Sequence, residues 1–331
     1  MFHTIACAQI DFDDTTFLMS YPLESAKISA SVGAIGVVQP IIISGCGCEG
    51  KYRLIAGFKR VHACRQVGAE IVNAYLYQVD PENRLGAFAL MLSENASHRT
   101  FNTVEKALIL SKLVNRFQCA REDVIRHYLP LLELAPNGKV LDIYLRLMDF
   151  EEAFKRYLAA HELPLTVLEL LTSFSPADRS AVFTLIAALK LGVNKIKEFC
   201  TELSEIALRE NCAIQHVLAD AQIRTILQQE QTPVPQKAEQ IRRLLRARRY
   251  PQLTTLERAY AAQRQRLHLP RGVQLETDPF FEDDGLSVAF RFQTPGELQT
   301  LAEALLQLSQ KTELQALLSL IRGEPRTHDI L

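Results

Sequence analysis

The chain has 331 residues, a formal net charge of −1, 48% hydrophobic residues and 23% charged residues. This length exceeds one ordinary hydrophobic core, so we expect two or three domains. The near-zero net charge excludes a protein that covers nucleic acid with a uniformly basic surface. Any contact with a polyanion must therefore come from a local cluster of positive charges. We recognise no secretion signal and no apolar run long enough to cross a bilayer, so we expect no membrane contact.

The seven cysteines are an odd number scattered along the chain, which is typical of a reduced, cytoplasmic protein. Cys46 and Cys48 form a C-x-C pair in a Gly-rich stretch. No second pair of Cys or His lies nearby to complete a tetrahedral metal site. We therefore interpret this pair as part of a loop between strands.

The first 43 residues predict a strand, a helix and a second strand. Residues 5–12 are strand-like, and residues 23–34 have helical character up to Gly36. The apolar run 37–43 is typical of a buried strand, in which Pro40 limits ladder pairing.

The stretch that follows is the most informative of the chain. Residues 52–55 form a β-prone run, Gly57 breaks it, and residues 58–67 predict a helix. Gly68 is suited to end that helix in the left-handed conformation. Residues 72–79, rich in β-branched and aromatic side chains, predict another strand.

Lys59 and Arg60 lie in the first turn of this predicted helix, directly after Gly57. Free amides and the helix dipole favour a phosphate group at such a position, and two cations strengthen the attraction. The alternative is that both cations simply lie on a solvated surface.

Three motifs in this order resemble the ParB family. Residues 31–43 (SVGAIGVVQPIII) resemble its opening pattern S-I-x-x-x-G-x-x-Q-P-I-x-V. Residues 52–63 (YRLIAGFKRVHA) resemble its Y-x-L-I-A-G-E-R-R-x-R-A box. Residues 92–95 (LSEN) and 102–107 (NTVEKA) resemble its E-N-x-x-R…N-P-x-E-x-A segment.

The resemblance implies a nucleotide site, because ParB-like proteins bind CTP with Mg²⁺ through the second and third motifs. It also implies that the nucleotide closes a dimer into a clamp on DNA. The implied nucleotide-binding residues are Gly57, Lys59, Arg60, His62, Glu94, Asn95 and Arg99, with Mg²⁺ at Glu94 and Asn95. For Glu94 and Asn95 a helix-capping loop is the alternative.

The chain departs from the family pattern at several positions. Phe58 replaces a Glu, His62 replaces an Arg, and His98 stands where an Arg is usual, with Arg99 one residue later. Lys59 replaces an Arg, which keeps the charge but loses the bidentate fork. The family's early Arg-rich box would fall near residues 17–22, which contain no Arg.

The next segment predicts a helix-turn-helix. Residues 102–116 predict a helix, with Asn102 or Thr103 as N-cap and Glu105 in the first turn. A second helix, 121–132, is cut at Pro130, and a turn leads to a third helix at 139–148. The ParB resemblance assigns DNA binding to this region. The candidate surface is Asn137, Lys139, Asp142, Tyr144 and Arg146, and a purely structural helical bundle is the alternative.

Residues 151–227 are almost entirely helical in pattern, with Ser175 as the cap of one helix and Asn194 as the cap of the next. Residues 228–236 have the composition of a linker. Residues 241–250 then contain five arginines and no acid, a density that favours contact with a polyanion. An exposed helix face is the alternative. These arginines are Arg242, Arg243, Arg246, Arg248 and Arg249.

The last part predicts two strands, 273–277 and 286–292, with a hairpin signal at Asp284-Gly285. Thr294 is then expected to cap a Leu-rich helix. One hairpin and one helix bury too little surface alone, so we expect a homodimer. The unit resembles the C-terminal dimerisation module of ParB proteins.

The predicted fold class is α+β. It comprises a ParB/sulfiredoxin-like α/β domain (1–100), a helical domain with the helix-turn-helix (101–227), a linker and basic helical segment (228–269), and a dimerisation module (270–331). The leading hypothesis is a nucleoid-associated partition protein that binds DNA and CTP, with slow regulatory hydrolysis if any and a partition ATPase as partner.

Two other classes stay open at this point. One is a ParB-fold enzyme of phosphotransfer or nuclease type. Cys64 could be offered as its nucleophile, but it lies inside the predicted helix and not at the positive end, so we interpret it as a buried helix cysteine. The other is a dimeric adaptor that has lost nucleotide and DNA binding.

Overall fold

The computed structural model describes residues 2–45, 50–80 and 82–322. The Cys46–Cys48 pair lies outside these residues. The chain divides into two compact units, Met1–Thr201 and Glu202–Leu331. Among the described residues, no helix has the length and apolar character needed to cross a membrane.

The first unit contains a mixed five-stranded sheet in the order β1-β5-β3-β4-β2. β1 pairs antiparallel with β5, β5 parallel with β3, β3 antiparallel with β4, and β4 parallel with β2. The strands are β1 (Phe2–Ala6), β2 (Ile10–Asp11), β3 (Ile41–Ser44), β4 (Tyr52–Ala56) and β5 (Ile71–Leu76). The sheet core is made of the buried apolar side chains of these strands and of the two helices that follow.

Three predicted strands of the first unit are shorter than expected, and one of them, predicted at 72–79, ends at Leu76. The single strand 5–12 is wrong, because a 3₁₀ turn, Cys7–Gln9, separates β1 from β2. Within this turn the Ala6 N–H donates to Gln9 Oε1, at 3.2 Å. The strand predicted at 37–43 begins only at Ile41. Gly36 has a φ of 71° and Pro40 lacks an N–H, so the ladder starts after them.

Two helices pack against each other beside the sheet. The first is α1 (Ala26–Ile35), capped by Ser25, which begins three residues later than predicted. The second is α2 (Phe58–Val67), whose bounds are those predicted. Gly68 ends it with a φ of 71°, which confirms its predicted role.

The remaining helices of the first unit follow β5. They are α3 (Arg84–His98), α4 (Thr103–Ser111), α5 (Arg121–Asp123), α6 (Leu129–Leu131), α7 (Gly138–Leu147), α8 (Glu152–Ala160), α9 (Leu165–Ser173) and α10 (Pro176–Leu189), and α11 (Val193–Glu210) crosses the unit boundary. Wide π-helical turns extend α4 through Lys112–Arg116 and join α5 to α6 through Val124–Tyr128.

Of the helix caps predicted at Asn102, Ser175 and Asn194, the first two are confirmed and the third is wrong. Asn102 caps α4 through bonds from the N–H groups of Val104 and Glu105, at 3.0 and 2.9 Å. Ser175 caps α10 as predicted. Asn194 is not a cap, because α11 already begins at Val193.

The second unit is mostly helical with a small hairpin. It contains α12 (Ile214–Leu218), α13 (Ala221–Gln228), α14 (Val234–Arg249), α15 (Pro251–Arg266), β6 (Val273–Glu276), β7 (Ser287–Phe290), α16 (Pro295–Ser309) and α17 (Thr312–Ile321). Thr294 caps α16 as predicted. The strands pair antiparallel, but residues 277–286 connect them, so Asp284-Gly285 is not a tight two-residue turn.

The sequence interpretation missed α17. Leu317 of this helix is completely buried and packs with Leu267, Leu275 and Leu308. The C-terminal hairpin therefore shares a small core with three helices, and its burial does not depend entirely on a second copy.

Candidate nucleotide site and charged surfaces

A cleft of about 750 Å³ lies where β4 meets the start of α2 and the end of α3. It contains six of the seven residues predicted to bind a nucleotide. The six are Gly57, Lys59, Arg60, Glu94, Asn95 and Arg99. His62 does not line it. The buried Nε2 of His62 has no hydrogen-bond partner within the part of the chain that the structure describes.

Gly57 shapes the entrance of the cleft. Its backbone has a φ of 101°, a left-handed conformation that an L side chain adopts only with strain. A Cβ at this position would lie 2.8 Å from Ile41 Cγ2. The absent side chain therefore lets β3 and the first turn of α2 approach closely.

The two cations of α2 have different surroundings. Lys59 Nζ lies 3.8 Å from Glu105 Oε1, and the Lys59 side chain is 30% exposed. Arg60 Nη1 instead donates to the carbonyl oxygens of Gln39 and Pro40, at 2.5 and 2.7 Å. Burial lowers the pKa of Arg60, against the opposing influence of Glu94. Both side chains line the cleft. Arg60 in addition hydrogen-bonds the segment just before β3 and so connects it to α2.

The last turn of α3 supplies the opposite wall. Glu94 is exposed, with His98 Nε2 3.9 Å from its Oε1. Asn95 Nδ2 donates to the Met91 carbonyl at 2.8 Å, while Arg99 Nε approaches Asn95 Oδ1 at 3.4 Å. The Arg99 guanidinium also lies over the ring of Phe101.

Glu105 is a central residue of this site that sequence reasoning treated only as part of a helix start. Its side chain is 2% exposed and contacts both Lys59 and Arg99. It also accepts the N–H groups of Tyr21 and Asn102, each at 3.1 Å. The N-x-x-E capping spacing was the available signal, but the contacts with Lys59 and Tyr21 depend on the tertiary fold.

A metal ion at Glu94 and Asn95 is chemically reasonable. Mg²⁺ prefers oxygen ligands and is commonly held by one or two protein groups together with substrate phosphates and water. Glu94 offers a carboxylate and Asn95 an amide oxygen on the same cleft wall. The described residues contain no cluster of three or more His, Cys, Asp or Glu that would hold a metal alone.

Cys64 is poorly suited to nucleophilic chemistry. It lies in the sheet core, and burial raises the pKa of its thiol to about 11, with the neighbouring Cys7 acting in the same direction. The thiolate is the reactive form of cysteine. The contacts of Cys64 therefore favour a structural role.

The candidate DNA-reading helix α7 presents a narrow exposed stripe. Asn137 caps the helix by accepting from the Lys139 N–H at 2.8 Å. Lys139 pairs with Glu169 at 2.5 Å. Tyr144 is only 6% exposed, so its side chain belongs to the core. Arg146 is exposed and forms no ion pair with any residue in the described ranges.

The arginine-rich segment coincides with α14, and acids of this helix and of other parts of the second unit pair with its arginines. Arg242 and Arg243 pair with Glu239, and Arg246 pairs with Glu257.

The C-terminal end of α14 is paired in the same way. Arg248 donates to both carboxylate oxygens of Glu210, from Nε to Oε1 and from Nη2 to Oε2, and Arg249 pairs with Glu205. The sequence interpretation assumed that no acid balances this segment, and that premise is wrong. Arg243, with a side chain 74% exposed, is the member of the five that extends furthest into solvent.

Comparisons with known proteins agree with the motifs. Residues 7–96 match the model of the ParB N-terminal domain. A probable chromosome-partitioning protein ParB of Vibrio cholerae serotype O1 is 28% identical over 137 residues, or 41% of this chain and 43% of that protein. The corresponding protein of Coxiella burnetii is 28% identical over 125 residues, or 35% and 41% of the two chains. The match thus spans less than half the length of these relatives.

Solved ParB structures are also similar, at low scores. The C-terminally truncated Caulobacter crescentus ParB complexed with CTP-γ-S has a TM-score of 0.26 and 19% identity, covering 56% of this chain and 99% of that one. The same protein complexed to the centromeric parS site has a TM-score of 0.34 and 16% identity, covering 60% and 98%. On the sequence matches, residues 7–96 of this chain are similar to the ParB N-terminal domain.

Proposed function

We propose that this protein is a ParB-like partition protein, a DNA-binding dimer regulated by a nucleoside triphosphate that binds in the cleft. The proposal rests above all on one observation: six residues from two separate motifs line a single cleft. The amides at the start of α2 and the cation of Lys59 suit phosphate groups. CTP is the proposed nucleotide, because the matched motifs are those that bind CTP in ParB-like proteins.

Mg²⁺ is the proposed metal, held by Glu94 and Asn95. When bound with the nucleotide it would neutralise phosphate charge. Arg60 would keep the start of β3 in place beside the phosphates, and Lys59 would contact them directly. Any hydrolysis at this site would serve regulation.

The DNA contact is proposed for the exposed stripe of α7, with Arg146 as its free cation and Asn137 and Lys139 beside it. The exposed Arg243 of α14 is a second candidate. Arg242, Arg246, Arg248 and Arg249 are less exposed than Arg243 and, like it, are paired with acids, so DNA would first have to break their ion pairs.

The C-terminal module is the proposed dimer interface. Its two strands and two last helices border an apolar groove of about 340 Å³. Val288 and Leu306 are exposed apolar side chains of the same module. A partition ATPase is the proposed further partner, and the nucleoid is the proposed location.

Calorimetry with CTP and Mg²⁺ tests the nucleotide proposal. We expect wild type to bind CTP in preference to ATP and GTP, and Lys59→Ala to weaken binding by about tenfold or more, because a charge-assisted phosphate contact is lost. Lys51→Ala, at an exposed lysine outside the cleft, is the matched control. Equal affinities of wild type and Lys59→Ala, or no binding of any nucleotide, would contradict the proposal.

Salt-dependent binding to a fluorescent mixed-sequence duplex tests the DNA proposal. Each phosphate contact contributes about one unit to the slope of log affinity against log salt concentration. Arg146→Ala is therefore expected to reduce the slope by about one. Arg156→Ala, at an exposed arginine of α8 paired with Glu24 and Glu152, is expected to leave it unchanged. An unchanged slope for Arg146→Ala would remove α7 from the interface.

A further inference from the structure

A buried carboxylate, Glu105, lies behind the cleft and contacts two partly exposed cations that line it, Lys59 and Arg99. Glu105 Oε2 lies 2.8 Å from Arg99 Nη1, and Glu105 Oε1 lies 3.8 Å from Lys59 Nζ. Lys59 and Arg99 are 30% and 31% exposed, whereas Glu105 is 2% exposed. The protein therefore holds a fixed negative charge behind the positive wall that an incoming phosphate would meet.

The carboxylate is held firmly in this position. The N–H groups of Tyr21 and Asn102 donate to its two oxygens, and Asn102 in turn caps α4. Asn102 Nδ2 also donates to the Tyr21 carbonyl, at 2.7 Å. Because these bonds come from the backbone and from a helix cap, Glu105 keeps its place when the cations turn toward a ligand.

We propose that Glu105 acts as an internal competitor of the phosphate groups: it pairs with Lys59 and Arg99 in the empty cleft and weakens the binding of any anion that must take these cations over. This inference rests on the proposed function of the cleft as an anion site. The competition favours polyphosphates over single phosphates, because only a ligand long enough to reach both cations replaces both contacts at once. Glu105 is thus a positioning residue that sets the affinity of the site.

The capping geometry provides a well-matched pair of variants. Glu105→Gln removes the charge but keeps an oxygen for the Asn102 N–H, since Gln serves at this capping position as Glu does. Asn102→Ala does the opposite, because it removes the side-chain cap and leaves the charge of Glu105 in place. A purely structural role of Glu105 predicts similar anion affinities of the two variants, whereas competition predicts tighter anion binding by Glu105→Gln alone.

The test is calorimetry with inorganic triphosphate between about 50 and 200 mM salt, with thermal unfolding as a check of folding. Glu105→Gln is expected to bind triphosphate on the order of tenfold more tightly than wild type, because a fixed negative charge near the ligand is removed. Its affinity is also expected to fall more steeply with salt, since its cations are no longer neutralised internally. Asn102→Ala is expected to bind no more tightly than wild type.

The outcomes separate this inference from the proposed function. Tighter triphosphate binding by Glu105→Gln supports the inference even if wild type binds no CTP, in which case the proposed function alone fails. Equal or weaker binding by Glu105→Gln, including no binding by either protein, overturns the inference even if wild type binds CTP. If Glu105→Gln does not fold, Glu105→Asp repeats the test, because the shorter side chain withdraws its charge from the cations. Binding by Glu105→Asp that is not several-fold tighter overturns the inference.

Discussion

Replacing Gly57 by alanine is expected to destabilise the protein by about 3 kcal/mol and to abolish anion binding in the cleft. Two costs add at this position. The φ of 101° strains any L residue, and the new Cβ would lie 2.8 Å from Ile41 Cγ2, in a strand at the centre of the sheet. The measurement is urea denaturation followed by circular dichroism, with triphosphate binding as the second readout.

The control is Gly68→Ala at the other end of the same helix. Gly68 also has a positive φ, of 71°, but no atom lies within 4 Å of its added Cβ. This variant therefore carries the backbone cost alone, about 1 kcal/mol. Equal losses of unfolding free energy in the two variants would show that the approach of Ile41 to Gly57 is not a tight contact.

Asp14→Asn is the second substitution with a large expected effect, about 2 to 3 kcal/mol at neutral pH. Asp14 Oδ1 accepts from the Thr16 hydroxyl at 2.5 Å, and Asp14 Oδ2 pairs with Arg53 on β4. Arg116 lies at the end of the π-helical turn that extends α4, and its Nη2 is 3.7 Å from Asp14 Oδ1. One carboxylate thus joins the loop after β2 to the sheet and to a helix.

The pH dependence of stability gives this prediction its direction. Burial alone would raise the pKa of Asp14, but the bonds from Thr16 and Arg53 and the charge of Arg53 outweigh it and lower the pKa to about 2, from 3.8. The folded-state pKa is therefore below the unfolded one. The stabilisation, about 2 kcal/mol, is present above the unfolded pKa and is lost as pH falls through about 2.

Unfolding free energies measured between about pH 5 and pH 2 test this assignment. Asp14→Asn is expected to lose part of the acid sensitivity of wild type. The exposed neighbour Asp13 offers the control, and Asp13→Asn is expected to keep the wild-type profile. If both variants follow wild type at every pH, Asp14 does not stabilise the fold as its contacts indicate.

The sequence predicted best where a structure is determined locally. The bounds of α2, the left-handed Gly68 and the Asn102 cap depend on residues close in sequence, and all three are confirmed. The strand 5–12 failed because its apolar alternation continues through a 3₁₀ turn that also buries Cys7. The spacing of apolar residues alone does not distinguish a continuous strand from a strand that contains a 3₁₀ turn.

The sequence predicted which residues line the cleft, but not which of them form ion pairs. Motif order led to six of the residues that line the cleft, yet no pattern in the sequence brings Glu105 to Lys59. The same limit applies to the end of α14, where Arg248 and Arg249 have no acid nearby in sequence but meet Glu210 and Glu205 in the fold. Ion pairs between distant segments require the tertiary structure, and so does the burial of Tyr144.

The pairing of the α14 arginines has a consequence for the kinetics of encounter with DNA. Five positive charges that each have an acid within a few ångströms form short dipoles, and their field decays faster than that of a free charge. The whole chain, these arginines included, has a formal net charge of only −1. For the DNA binding proposed above, we therefore expect little long-range electrostatic steering, so that diffusion and orientation set the rate of encounter with a duplex.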